Sequence, residues 1–243
     1  LNFIGYILEP IYLWLLRDRY VIVVSESTKQ DFLRYGFSAE RISLIPEGVT
    51  MKPMENLDEM GNKYPQPTVL SLGAIRAMKR TLDQIHAFEI AKKNIPDLQL
   101  KIVGSVSDSY GEKVLRRMAS SDYAKDIEYL DFVDEAKKIE LMQKSHLILV
   151  TSVKEGWGLI VTEANSQGTP AVVYDVDGLR DSVKDRETGL ISKENTPMGL
   201  SVVITAALHD SREYARLREN AWLWSKSFQL EKTYQSFYDT IEK

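Results

Sequence analysis

Leu147-Ile148-Leu149-Val150-Thr151-Ser152-Val153-Lys154-Glu155-Gly156-Trp157-Gly158-Leu159-Ile160-Val161-Thr162-Glu163-Ala164 is the stretch whose reading decides the fold. Four consecutive apolar residues make a strand buried on both faces, not one that alternates between core and water. A Gly-x-Gly turn follows, and a helical pattern opens near Leu159 and runs to about residue 167. Strand, tight turn and helix in that order are the repeating half of a parallel sheet covered by helices.

The same grammar continues on both sides. Apolar runs at residues 43–45, 68–72, 98–103, 127–130, 171–174 and 189–191 predict further strands. Amphipathic patterns at 81–92, 111–121, 135–144 and 200–208 predict the helices between them. The last of these is opened by Thr196 as N-cap and Pro197 at the first helical position. Asp177 is a candidate N-cap for a short helix at 179–183. The fold class is therefore α/β, a Rossmann-like doubly wound parallel sheet. Residues 51–66, with Pro, Asn, Gly and acidic side chains, read as a linker or irregular loop. Residues 211–243 read as helical throughout, and they carry Trp222, Trp224, Phe228, Tyr234, Phe237 and Tyr238.

Composition bounds the function. The chain has 243 residues, 31 basic against 35 acidic, a net charge of −4, which excludes a general nucleic-acid binder. It has no Cys, which excludes disulfides and Cys-ligated zinc and fits a cytosolic setting. Three scattered His argue against a His-based metal site. The first 24 residues are interrupted by Glu9-Pro10 and Arg17-Asp18-Arg19, too soon for a span of ~20 apolar residues, and they lack the pattern of a signal peptide. They predict a helix ending near Leu16 and a strand at 21–24. Tyr6, Tyr12 and Trp14 on that helix either touch a membrane surface or pack on further protein, and the second reading is favoured. The chain starts at Leu1, inside an apolar helix, and the expectation is a piece of a longer protein.

In an open parallel sheet ligands bind beyond the carboxyl ends of the strands, so the loops there are the places to look. After 68–72 come Gly73, Arg76, Lys79 and Arg80, three cations leading into a helix N-terminus. Cations are locally unfavourable there by ~0.3–1 kcal/mol each, which suits a docked diphosphate as well as it suits a solvated basic turn. Gly104 ends the next strand and reads as a plain turn; no G-x-G-x-x-G fingerprint occurs, which argues against a nicotinamide-dependent dehydrogenase. After 147–150, Glu155 lies in the turn and Glu163 one turn into the helix, so both carboxylates can face one cleft and accept vicinal hydroxyls. The free N–H groups at Leu159 can hold a phosphate or a sugar hydroxyl. Asp175-x-Asp177 raises a divalent metal, but carboxylates in such loops are more often solvated caps.

At these residues the sequence resembles the family-4 retaining glycosyltransferases of GT-B fold. Val24-Ser25-Glu26-Ser27 resembles the family's VSES strand end, and Ile45-Pro46-Glu47-Gly48-Val49 its IPNGV entry to the second domain. Glu155-Gly156-Trp157-Gly158-Leu159 through Glu163-Ala164 resembles its E-x7-E signature, Gly168-Thr169-Pro170-Ala171-Val172 its GTPVV, and Thr188-Gly189-Leu190 its TGLL. The pieces run from about residue 20 to the end in the family's order.

The resemblance implies a sugar transferred with retention from a nucleoside diphosphate sugar, a UDP- or GDP-sugar, with no metal or other cofactor required. It implies that Lys79 neutralises the donor diphosphate. Arg76 substitutes for an Arg that the family places directly after Gly73, where this chain has Ala74. Glu155 is expected on the sugar hydroxyls and Glu163 on the ribose. The amides of Trp157, Gly158 and Leu159, with Gly156 in the same turn, are expected to face sugar and phosphates, and Phe132-Val133 to line the base. It also implies three parts: residues 1–45 as the last helix and strand of an acceptor domain, 46–226 as the donor domain, and 227–243 as a crossover helix. A glycan or lipid acceptor would bind the absent part, and the full-length protein would be cytoplasmic, with peripheral contact at a membrane face. Two rivals share the fold: a nucleotide-sugar epimerase-like enzyme and a noncatalytic nucleotide-sugar-binding module.

Overall fold

The computed structural model describes residues 2–57 and 63–242, with side chains from residue 8 onward. Leu1, the side chain of Tyr6 and part of the anticipated linker, residues 58–62, lie outside the described residues. The chain begins with α1 (Asn2–Leu16), β1 (Val21–Val23), α2 (Glu26–Arg34) and β2 (Ile42–Leu44). It continues as β3 (Thr68–Leu72), α3 (Thr81–Ala91), β4 (Gln99–Val103), α4 (Ser109–Ala119), β5 (Ile127–Leu130), α5 (Glu135–Lys144) and β6 (Leu147–Val150). It closes with α6 (Leu159–Ser166), β7 (Ala171–Tyr174), α7 (Leu179–Ser182), β8 (Gly189–Ser192), α8 (Pro197–His209), α9 (Ser211–Ser225) and α10 (Leu230–Ile241).

The strands form two parallel sheets, β1-β2 and a six-stranded sheet in the order β5-β4-β3-β6-β7-β8. Successive residues of one strand serve opposite faces. Val69, Leu147, Leu149 and Val172 pack with Ile85 and Phe88 of α3 and Leu200 and Ile204 of α8. Leu70, Ile148, Val150 and Val173 pack with Leu141 of α5, Val161 and Ala164 of α6 and Leu179 of α7. Both faces are covered, which is why the strand Leu147–Val150 is apolar and buried at every position. The order gives the sheet its functional geometry. The chain winds outward from β3 through β4 to β5, then returns to β6 beside β3 and winds the other way. The crevice beyond the carboxyl ends of β3 and β6 is the switch point where such sheets bind ligands.

Partly buried polar groups tie the amino ends of β3 and β6 to the neighbouring loops. Lys63 Nζ donates to the carbonyls of Ser145 and Gly168 and to Thr169 Oγ1, at 2.5, 3.1 and 2.8 Å. His146 Nδ1 accepts the Thr68 N–H at 3.1 Å, and Tyr214 donates its hydroxyl to the His146 carbonyl. Burial, with Arg218 nearby, holds Lys63 well below the usual lysine range. Burial, with the Lys63 and Arg218 charges, holds His146 down to about 4.

Several expectations change. The C-terminal segment is not helical throughout: it breaks after Ser225, and Phe228 turns in between Trp157 and Trp224, ring centroids 4.9 and 4.8 Å apart. The aromatic contact outweighs helix propensity, and Gln229 then pairs with Val49 beside the start of α10. The strand expected at 43–45 is shifted by one residue, to Ile42–Leu44, in register with β1. Asp177 does not cap α7. Gly178 occupies that position, and Asp177 accepts from Arg180 instead. The linker is pinned where it is described: Met54 N donates to the Ser166 carbonyl, and Trp222 Nε1 to the Met54 carbonyl. Helix α2 is an addition to the expected elements; it is polar and has no fully buried residue, so its periodicity is faint.

Candidate active site

The loop after β3 starts at Gly73 and is held to the neighbouring strand end by Ile75, whose N–H donates to the Ser105 carbonyl at 3.1 Å. Residues Ala77–Lys79 form one tight 3-10 turn, and Arg80, at φ 51°, stands in the left-handed region immediately before α3. The three cations therefore diverge. Lys79 reaches across the crevice. Arg80 lies over the Tyr174 ring, 5.7 Å from its centroid. Arg76 is exposed; its carbonyl accepts the Lys79 N–H at 2.9 Å, and its side chain makes no hydrogen bond or ion pair with the described residues.

Lys79 Nζ lies 2.5 Å from Glu155 Oε1, so the loops after β3 and β6 meet at the switch point. Ser152 Oγ donates to the same oxygen at 2.5 Å. The backbone beneath is tied in register. Thr151 Oγ1 donates to the Lys79 carbonyl at 2.7 Å, and the Val153 N–H to the Met78 carbonyl at 2.8 Å. Buried Gln84 on α3 donates Nε2 to Thr151 Oγ1 and to the Leu149 carbonyl. Its Oε1 is buried and has no partner among the described residues. Lys79, Gln84, Thr151 and Ser152 line a cleft of about 20 Å³ with Gly73 and Ile160, room for one water molecule.

The turn around Glu155 depends on two glycines. A Cβ on Gly178, φ 80°, would collide with the Glu155 carbonyl, while the Glu155 N–H donates to the Asp177 carbonyl at 3.2 Å. Gly158, φ 93°, precedes α6, and a Cβ there would stand 2.8 Å from Leu179 Cδ2. So the loop after β7 packs directly on the loop after β6, and the α6 N-terminus opens next to Glu155. No side chain caps that N-terminus; the Val161 N–H turns back to the Gly158 carbonyl, and the N–H groups of Leu159 and Ile160 are left for a ligand.

Glu163, at the fifth position of α6, takes a different cation: Lys138 Nζ of α5 sits 2.8 Å from its Oε2. Both carboxylates are four-fifths buried and each is paired, Glu155 with Lys79 and Glu163 with Lys138. Trp157 is buried, donates Nε1 to Thr162 Oγ1 and stacks on Phe228, so only its backbone can serve a ligand. Gly156 sits in the same turn against Val24, and Leu159 begins α6. On the far side of β3, Phe132 is 84% exposed, while Val133 packs on the core beneath it. Asp175 and Asp177 both accept from Arg180, at 2.6 and 3.1 Å, so a guanidinium already occupies the space between them. Among the described residues, no group of three or more His, Asp or Glu is placed to hold a metal ion.

The N-terminal layer reaches this site. Asp181 accepts the Gly178 N–H and, through both oxygens, the Ser27 N–H at the start of α2. Lys154 donates to Asp31 of α2 at 2.9 Å, and that hydrogen bond raises the lysine further above its ordinary range. Neither bridge is predictable from the sequence, because each joins residues more than 100 positions apart with no motif to link them. Lys138 and Ser152 are closer in sequence to the glutamates they serve, 25 and 3 positions away, but no motif marks either of them.

The family model for glycosyl transferases group 1 matches residues 55–224. The chain belongs to this family. It is 25% identical over 211 residues to a D-inositol 3-phosphate glycosyltransferase of Nocardia farcinica, covering 82% of this chain and 47% of that one. It is 26% identical over 211 residues to a poly(glycerol-phosphate) alpha-glucosyltransferase of Bacillus subtilis, covering 86% and 30%. The Anabaena HepE protein, solved with UDP and glucose, superposes with a TM-score of 0.78 at 18% identity over 96% of this chain and 66% of that one. The fold is thus GT-B, and the chain spans half or less of the length of these two curated relatives. No described helix is long and apolar enough to cross a membrane.

Proposed function

We propose that this chain is the donor-binding half of a retaining glycosyltransferase that takes a nucleoside diphosphate sugar. One observation carries the reading: Lys79 and Glu155, from loops after β3 and β6, meet at 2.5 Å at the switch point of the sheet. A cation and a carboxylate side by side suit a ligand that is anionic at one end and hydroxylated at the other. Lys79, with the uncapped N–H groups of α6, faces the diphosphate; Glu155 accepts sugar hydroxyls; Glu163, held by Lys138, accepts the ribose hydroxyls. Phe132 offers an exposed ring face to the base.

In transfer, the bond from the anomeric carbon to the diphosphate oxygen breaks and a bond to the acceptor oxygen forms. The acceptor proton ends on the released nucleoside diphosphate. Lys79 and the α6 amides lower the barrier by meeting the charge that grows on that leaving group. Arg76, exposed at the mouth, adds a second cation there. No metal is needed where lysine, arginine and backbone amides carry the charge. The acceptor, a glycan or a lipid, would be seated by a further domain, at the face where α1 and α10 expose Tyr12, Trp14, Tyr234 and Tyr238. Alone, the chain would bind donor and transfer little. HepE with UDP and glucose makes a UDP-sugar the first donor to test. Calorimetry with UDP-, GDP- and ADP-sugars tests the reading: one should bind, and binding of none would overturn it.

A further inference from the structure

Glu155 is held asymmetrically. Its Oε1 receives two donors at 2.5 Å, Lys79 Nζ and Ser152 Oγ, while its Oε2 has no partner among the described residues. The two donors are not equivalent. Lys79 is one-third exposed and carries its charge on a flexible stem that can follow either carboxylate oxygen or turn to a phosphate. Ser152 is fully buried, and its hydroxyl donates only to Glu155 among the described residues. Its backbone cannot drift, because Thr151 Oγ1 on one side and the Val153 N–H on the other are bonded to the carbonyls of Lys79 and Met78. A short side chain on a fixed backbone selects one rotamer of its acceptor.

From this geometry we infer that Ser152 is a positioning residue. It fixes Oε1 of Glu155 inward, so that Oε2 is presented as the acceptor for a hydroxyl of the transferred sugar. The inference rests on the donor reading above and deepens it. When Lys79 turns toward the diphosphate of a bound donor, Ser152 still holds the carboxylate. The residue therefore acts on the sugar end of the donor and leaves the nucleotide end alone.

The test is calorimetry on the 243-residue chain with three matched pairs, UDP-glucose and UDP, GDP-mannose and GDP, ADP-glucose and ADP. The pair that the wild type binds is carried into Ser152→Ala, Ser152→Cys, Glu155→Gln and the double variant Ser152→Ala/Glu155→Gln. Ser152→Ala should weaken the nucleotide sugar by about tenfold and the free nucleotide by less than about twofold. Ser152→Cys, which keeps a weak donor, should fall between. The double variant should lose no more than Glu155→Gln alone, since the serine acts through that carboxylate. Equal losses for sugar and nucleotide, additive losses in the double variant, or no change in Ser152→Ala would each overturn the inference and leave the donor reading standing. Binding of none of the three pairs by the wild type would overturn the donor reading, and the role of Ser152 with it.

Discussion

The two ends of the same six strands treat charge in opposite ways. At the amino ends, Lys63 is buried with its ammonium on two carbonyls and a hydroxyl, and His146 accepts a backbone N–H. These groups hold loop to sheet. At the carboxyl ends, Lys79 pairs with Glu155 across two loops and Lys138 with Glu163 across α5 and α6, and each keeps part of its surface in water. The difference teaches that a displaced pKa is no sufficient mark of function. Lys63 and His146 are displaced because they are parts of the scaffold.

The sharpest way to break this comparison is at Lys63. Lys63→Ala removes three hydrogen bonds, strands the Gly168 carbonyl and leaves the Ser145 carbonyl to Thr169 Oγ1 alone, and should cost about 3 kcal/mol in urea denaturation. Donor affinity measured well below the melting range should not change. A large loss of affinity at unchanged stability would put Lys63 in the site and dissolve the contrast.

His146 gives the second test, through pH. Its folded value is about 4, below an ordinary 6.5, so between these the unfolded chain binds the extra proton. Stability is therefore lost as pH falls from 6.5 toward 4, and His146→Gln should flatten that part of the curve. The gap between the two curves should reach on the order of 2 kcal/mol after solvent screening, and parallel curves would refute the assignment.

At the other end, Lys79→Ala should weaken a bound nucleoside diphosphate and its sugar alike, by about tenfold, or ~1.4 kcal/mol. The melting temperature should move little, because the pair it breaks is partly solvated. The smallest effect belongs to Phe132→Ala. A ring that is 84% exposed contributes under about 0.5 kcal/mol to stability, yet its loss should weaken nucleotide binding a few-fold if it covers the base.

The sheet was legible because its strands are short apolar-rich runs, buried at every position in Leu147–Val150 and Ala171–Tyr174, and the helix at Pro197 because Thr196 and Pro197 announce its first turn. The C-terminal break was not legible, since no Gly or Pro marks it and Phe228 is drawn out of line by two tryptophans. Nor was α2, whose sequence Glu-Ser-Thr-Lys-Gln-Asp-Phe-Leu-Arg is nearly all polar. Among the candidate residues, the meeting of Lys79 with Glu155 follows from strand order once β3 and β6 are neighbours. The partners Ser152 and Lys138 required side-chain geometry, because neither spacing nor residue type distinguishes them from other surface-loop serines and helical lysines.

One small contact joins these scales. Asp181 grips the first turn of α2 with both oxygens and the Gly178 N–H with one of them, and Gly178 lies without a side chain against the Glu155 carbonyl. The arrangement is a lever with a short arm. Any displacement of α2 would be passed through one carboxylate and one glycine to the peptide that carries Glu155. The one side chain along that path is the short carboxylate of Asp181, which leaves little slack between α2 and the Glu155 turn.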